Sequence, residues 1–179
     1  MNRTFVHNPN GLNQEPLPMP HDLETLAARL QALEDREAVR EVIARYGPLA
    51  DRGDAQALAT LWEEDGTYEV TGFATARGRA EIAALIDAPY HRELMADGCA
   101  HVLGPVSVTV EEDSATAVGH SVVLRHHEGT FSVFRVSANC WTLRRDAGDG
   151  QWRVRHRANA LLDGAEVARA LLSVPVSAA

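Results

Sequence analysis

The chain contains no lysine. All 17 basic residues are arginine, against 25 acidic residues, and the formal charge is -8 over 179 residues. Without lysine there is no Schiff-base chemistry, no lysine-anchored pyridoxal phosphate and no phosphate-binding lysine of a P-loop. The acidic balance leaves no basic stripe for nucleic-acid phosphates. Only two cysteines are present, Cys99 and Cys140, far apart and with no C-x-x-C pair, which argues against a disulfide framework and a structural zinc site. No apolar run approaches the roughly 20 residues that cross a bilayer, and the segment from Met1 to Pro20 has neither the basic region nor the apolar stretch of a signal peptide. The motifs G-x-S-x-G, G-x-G-x-x-G and H-E-x-x-H are missing as well. The expectation is a cytoplasmic protein that binds neither membrane nor nucleic acid. Its chemistry is left to His, Asp, Glu, Tyr, Ser, Asn, Arg and the thiols.

What is present is ordinary for one globular domain: 45% apolar and 23% charged residues. Pro9, Gly11, Pro16, Pro18 and Pro20 punctuate the start, so residues 1–21 are expected to form an extended arm, residues 22–172 a single domain and residues 173–179 a flexible tail. From Asp22, a candidate N-cap, apolar residues recur at Leu23, Leu26, Leu30 and Leu33, then at Val39, Val42, Ile43, Tyr46 and Leu49. This spacing predicts one long amphipathic helix or two in series. Gly53 and Asp54 end it and cap a short helix whose buried face is Leu58, Leu61 and Trp62. Thr67 to Thr71 reads as a strand, and Ile82, Leu85 and Ile86 mark a helix that Pro89 bends or ends.

After Cys99 the period becomes two, and four strands are expected over Val102–Val110, Ala115–His127, Thr130–Arg145 and Gln151–Leu162. Helices first and a meander afterwards predict an α+β domain with helices packed on one face of a curved antiparallel sheet. If Glu128-Gly129 is a two-residue turn, His127 pairs with Thr130. One face then carries His120, Val122, Leu124 and His126 against Phe131, Val133, Arg135, Ser137 and Asn139, with His101 opposite Leu124. Polar side chains on a buried face need partners or a cavity, so this face is a candidate site rather than a plain core.

Asp51 stands near a helix C-terminus, where the dipole disfavours a carboxylate, which points to another task. Tyr46 and Asp51 do not share a face of an ideal helix, but Pro48 frees the carbonyl of Ala44 and favours a kink that brings both to one cavity. Asp51 beside His101 makes a general base near neutrality, and Tyr46 or Tyr68 then donates to a substrate carbonyl. Only His101 and His126 fall close enough to share a metal, so no metal is expected. His7, His21, His91, His127 and His156 read as structural or solvated. Arg153, Arg155 and Arg157 alternate along one strand and read as an outer, solvated face.

The order and spacing of Arg36-Glu-Ala-Val-Arg-Glu-Val-Ile-Ala-Arg-Tyr46, Asp51-Arg-Gly-Asp54, Leu61-Trp62, Asp65-Gly-Thr-Tyr68, Gly78-Arg-Ala-Glu-Ile82, His101-Val-Leu-Gly, Trp141-Thr-Leu-Arg-Arg and Gln151-Trp-Arg-Val resemble the SnoaL-like branch of the cone-shaped α+β barrel fold shared with nuclear transport factor two and ketosteroid isomerase. The resemblance spans roughly Leu33 to Leu162. It implies helices in the concave face of the sheet and a homodimer or homotrimer. Asp51 and His101 match the dyad of scytalone dehydratase, bile-acid dehydratases and hexachlorocyclohexane dehydrochlorinases, which eliminate a leaving group without a cofactor. Tyr46 resembles the bile-acid enzymes, while Tyr68, His126, Ser137 and Asn139 resemble scytalone dehydratase. The lysine used by dehydrochlorinases is missing here. The implied activity is a cofactor-independent dehydratase acting on a small hydrophobic cyclic hydroxy ketone: Asp51, His101, Tyr46 and His126 catalyse, and Tyr68, His120, Ser137, Asn139, Leu124, Val122 and Trp62 line the substrate. An isomerase, a polyketide cyclase or a non-catalytic binding cup is the alternative.

Overall fold

The computed structural model describes residues 23–173. Asp22, the expected arm over residues 1–21 and the tail beyond Ser173 lie outside the described residues. Helix α1 (Leu23–Ala44) is followed directly by α2 (Tyr46–Arg52), with a break at Arg45. The break has a local cause, because Pro48 carries no N–H for the carbonyl of Ala44. Gly53 closes α2 in the left-handed conformation, and Asp54 caps α3 (Ala55–Ala59) by accepting from the Ala57 amide at 3.1 Å. Trp62 does not end that helix. It opens strand β1 (Trp62–Val70), which turns into a short strand β2 (Ala74–Arg77) that the sequence pattern did not reveal. Helices α4 (Gly78–Asp87) and α5 (Pro89–Asp97) meet at the expected proline, which sits in the first turn of α5, where its missing N–H costs nothing.

The remaining strands are β3 (Cys99–Glu111), β4 (Ser114–His127), β5 (Thr130–Arg145) and β6 (Trp152–Leu161), followed by α6 (Glu166–Leu171). Their order in the sheet is β2-β1-β6-β5-β4-β3, antiparallel except for the β1/β6 pair. The sheet is curved and unclosed, with α1 to α4 against its inner face, the α+β cone expected from sequence. Val39, Ile43, Leu58, Trp62, Trp141 and Val154 form the core between them. On the opposite face α6 packs through Ala168 onto Ala138 and Ala160.

Three one-residue slips in strand pairing decide which side chains face inward. On β3/β4 the register shifts between Leu103 and Val106, so His101 pairs with Val123 rather than Leu124. On β4/β5 the pairing runs Leu124 with Val133 and then Val123 with Arg135, leaving Phe134 as an extra residue. Ser137 therefore stands opposite Ser121, and His120 is opposite Ala138. On β5/β6, Leu143 pairs with Val154 and Thr142 with His156, so Arg155 is the extra residue. Each bulge moves every later side chain to the other face, because the side-chain period of a strand is two. The expected faces are corrected accordingly: His120, Val122, Leu124 and His126 alternate away from Ser121 and Val123, and Arg157 turns inward while Arg155 is exposed.

Gly47 in α2 lies against the start of β3, where a Cβ would run into the carbonyl oxygen of His101. That oxygen is backbone and cannot step aside. Gly47→Ala is expected to lower the urea midpoint by the equivalent of about 2 kcal/mol or more, as overpacking does. An unchanged midpoint would mean that α2 does not press on β3 as described.

Candidate active site

Asp51, near the end of α2, reaches across to the first residues of β3. Its carboxylate accepts from the His101 ring Nδ1 at 2.6 Å, from the His101 backbone amide at 2.9 and 3.1 Å, and from the Cys99 thiol at 3.5 Å. A carboxylate only accepts, so Nδ1 carries the proton and Nε2 of a neutral His101 is the free base. Burial works to raise the Asp51 carboxyl, but hydrogen bonds from the His101 ring and amide outweigh it and hold the group below its ordinary value of 3.8. Burial and the neighbouring carboxylate push the Cys99 thiol up to about 12, so it stays protonated as a donor. One ligand atom from each of Asp51, Cys99 and His101 falls within a 4.8 Å cluster, a spacing that also suits a cation. The bonds between them are those of a hydrogen-bonded triad.

His101 opens onto two adjoining narrow recesses of about 10 and 30 Å³, which share Tyr46, Tyr68, His101 and Arg135 in their walls. Tyr46 is buried, with its ring edge-on to Tyr68 and to His101 at 6.3 Å from each. Trp62 does not line the recesses but stacks beneath Tyr68 at 5.8 Å. Ser121, Val123, Leu103 and Asn159 complete the first recess, and Tyr90, Phe73 and His91 the second.

Arg157, which the sequence pattern assigned to an outer face, is 2% exposed and projects into the first recess. Its guanidinium carbon sits 4.1 Å from the Tyr46 and Trp141 ring centres and 4.5 Å from that of Tyr68. Its Nε and Nη2 donate to Asn139 Oδ1 at 3.1 and 2.7 Å. Asn159 Nδ2 donates to the same oxygen at 3.0 Å, and Asn139 Nδ2 donates to Ser121 Oγ at 2.9 Å. Asn139 thus reaches the recess through Arg157 rather than directly. Arg157 has no carboxylate partner among the described residues, and its Nη1 is buried without an acceptor, as Ser137 Oγ is without a partner. A buried charge held only by an amide oxygen and three π-faces leaves one strong donor for a ligand oxygen.

His91 is the second residue that sequence reasoning missed. Its Nδ1 faces the Ile86 carbonyl at 3.1 Å, which requires the proton on Nδ1 and leaves Nε2 as a buried acceptor with no partner. Burial, with nearby His101, lowers its pKa, so the ring is neutral. The other expected histidines are elsewhere. His120 is exposed on the outer face, and His126 lines neither recess, its Nδ1 facing the Asp97 carbonyl at 3.2 Å and its ring lying 5.0 Å from Phe131.

A family model for the SnoaL-like domain matches residues 31–158. The chain belongs to the SnoaL-like domain family. An NTF2-like protein with a cystatin-like fold from Novosphingobium aromaticivorans is 65% identical, with a TM-score of 0.84 over 87% of this chain and 100% of that one. ActVI-ORFA from Streptomyces coelicolor is 22% identical, with a TM-score of 0.63 over 73% of this chain and 98% of that one. Hexachlorocyclohexane dehydrochlorinase LinA-type3 from Novosphingobium barchaimii is 17% identical, with a TM-score of 0.65 over 75% and 90%. These two share the fold with this SnoaL-like chain. No curated protein matches the sequence. Among the described residues no helix is long and apolar enough to cross a membrane.

Because Asp51 is held below 3.8, its contribution to stability is full above that value and is lost as pH falls through its lower folded-state pKa. Asp51→Asn is therefore expected to flatten the acid end of a plot of urea midpoint against pH. A variant whose acid decline superimposes on that of the wild type would show that Asp51 is not held in this way.

Proposed function

We propose that the protein is a cofactor-independent lyase that dehydrates a small, hydrophobic, cyclic hydroxy ketone in the cytoplasm, working as a homo-oligomer. What supports this reading is that His101, its ring held by Asp51, and Arg157, a buried cation held by Asn139, both line one recess. His101 Nε2 removes the proton α to the carbonyl, and the C–H electron pair moves into an enolate. The developing oxyanion is held by Arg157 Nη1, with Tyr46 or Tyr68 as the second donor, an arrangement that counts for more in a dry site than in water. Collapse of the enolate breaks the bond to the β-hydroxyl. The proton on His101 Nε2 returns to the departing oxygen, so that water leaves and the base is restored. His91 Nε2 accepts from a substrate hydroxyl and sets its orientation. This takes the place of the role expected for His120 and His126, which do not reach the recess. Isomerisation or an aldol-type cyclisation would begin from the same enolate, and the choice among them lies in the substrate.

The test is deuterium exchange into a panel of cyclic β-hydroxy ketones, with elimination followed in parallel as a function of pH. His101→Ala is expected to lower exchange by about 10²- to 10⁴-fold, as loss of a general base does. Arg157→Met is expected to lower it by about 10²- to 10³-fold with the base intact. Asp51→Asn should fall between wild type and His101→Ala. Exchange that survives His101→Ala would overturn the reading, and ligands that bind without any exchange would favour a binding cup.

A further inference from the structure

The walls of the two recesses beside His101 hold two arginines and no acidic residue, in a chain whose formal charge is -8. Arg157 lines the first recess and Arg135 lines both. Asp51 is engaged by His101 and Cys99 and lines neither. Arg135 is half-buried on β5, and among the described residues it has no ion-pair or hydrogen-bond partner. The bulge at Phe134 is what turns it inward. Pairing passes from exposed Val133 with Leu124 to Arg135 with Val123, and Val123 is buried in the wall of the first recess. A regular strand would have left Arg135 on the outer side with Val133.

A guanidinium withdrawn from water without an opposite charge is unfavourable, and two of them on one narrow space repel each other. The arrangement is most favourable with an anion in the recess. His91 adds no charge there, because burial first, then His101 and Arg135, hold its ring below the ordinary value of 6.5. We infer, building on the lyase reading above, that Arg135 binds a carboxylate of the substrate, which makes the ligand a cyclic hydroxy keto acid rather than a neutral hydroxy ketone. Arg157 Nη1 takes the carbonyl oxygen in the first recess, and Arg135 takes the carboxylate beside the second. One guanidinium fork matches the two oxygens of a carboxylate with parallel N–H···O bonds, whereas a phosphate monoester would leave a third oxygen and a second charge unmatched. Recesses of about 10 and 30 Å³ admit the oxygen ends of such a molecule, and its ring lies toward Phe73 and Tyr90, an exposed edge-on pair 5.1 Å apart in the wall of the second. The carboxylate takes no part in bond breaking.

Binding is measured with ligands that cannot eliminate water: cyclohexanecarboxylate and cyclohexanecarboxamide, titrated by calorimetry into wild type, Arg135→Met and Arg135→Lys. Wild type is expected to bind the carboxylate about tenfold more tightly than the amide, a margin that narrows as sodium chloride is raised. Arg135→Met should bring the ratio near one and Arg135→Lys should keep part of it. Both variants should hold the wild-type urea midpoint, since Arg135 has no partner in the described chain. For a β-hydroxycyclohexanone bearing a ring carboxylate, Arg135→Met is expected to raise KM about tenfold and to affect kcat less, as loss of a contact made equally in ground and transition states does. Equal affinity of wild type for carboxylate and amide, or no binding of either, would overturn the inference. So would a preference that survives Arg135→Met, or tighter binding of cyclohexyl phosphate than of the carboxylate. A preference that depends on Arg135, with no deuterium exchange into any substrate, would uphold the carboxylate site and remove the lyase reading. Exchange into neutral ketones without any carboxylate preference would do the reverse.

Discussion

One carboxylate ties the helical layer to the sheet at the point where chemistry is proposed. Asp51 accepts both the ring and the backbone N–H of His101, so the same contact that docks α2 on β3 also sets the tautomer and direction of the imidazole. That contact requires α2 to approach β3 closely, and Gly47 permits it by having no Cβ to meet the His101 carbonyl. It also requires Tyr46 and Asp51 to serve one cavity, which the break at Arg45 ahead of Pro48 allows. A side chain at a helix C-terminus, unfavourable for the dipole, is here compensated by three N–H···O contacts from the next layer.

The second constraint is the charge at Arg157. Taking a guanidinium out of water costs several kcal/mol, and no ion pair among the described residues offsets it. Instead Asn139 Oδ1 gathers donors from Arg157 and Asn159, and three aromatic faces surround the cation. Three of the five buried core aromatics, Tyr46, Tyr68 and Trp141, thus serve two purposes, filling volume and stabilising a charge. Leaving Nη1 without an acceptor is a stability cost that packing alone would not retain, the kind of local violation that marks a binding site.

Much of this was legible before any coordinates. The helix break at Pro48, the Gly53 and Asp54 signals, the hairpin turn at Glu128-Gly129 and the α+β cone all follow from local rules that act over a few residues. Asp51 stood out because its position conflicts with the helix dipole, and His101 because it lies on a face that otherwise reads as apolar. The failures have one cause. Alternation was carried along β3, β5 and β6 as though each strand were regular, and a bulge in each breaks it. His120, Val122 and Leu124 were placed inward and face out; Arg157 was placed outward and faces in. His91 was passed over because a lone histidine on a helix carries no pairing information in the sequence.

The sequence by itself determined the chemistry available: no lysine, a carboxylate and a histidine among the candidate groups, and apolar periods of 3.6 and then of two. These are properties of residue type and spacing, written within a few turns or strand lengths. Only the tertiary structure decided which side chains meet. A bulge is a bargain between one strand's twist and its neighbour's register, and Phe134 and Arg155 carry no local mark of being the residues left unpaired. A single extra residue turns over every side chain beyond it, so the partner of His101 across the recess was set by long-range pairing, not by pattern.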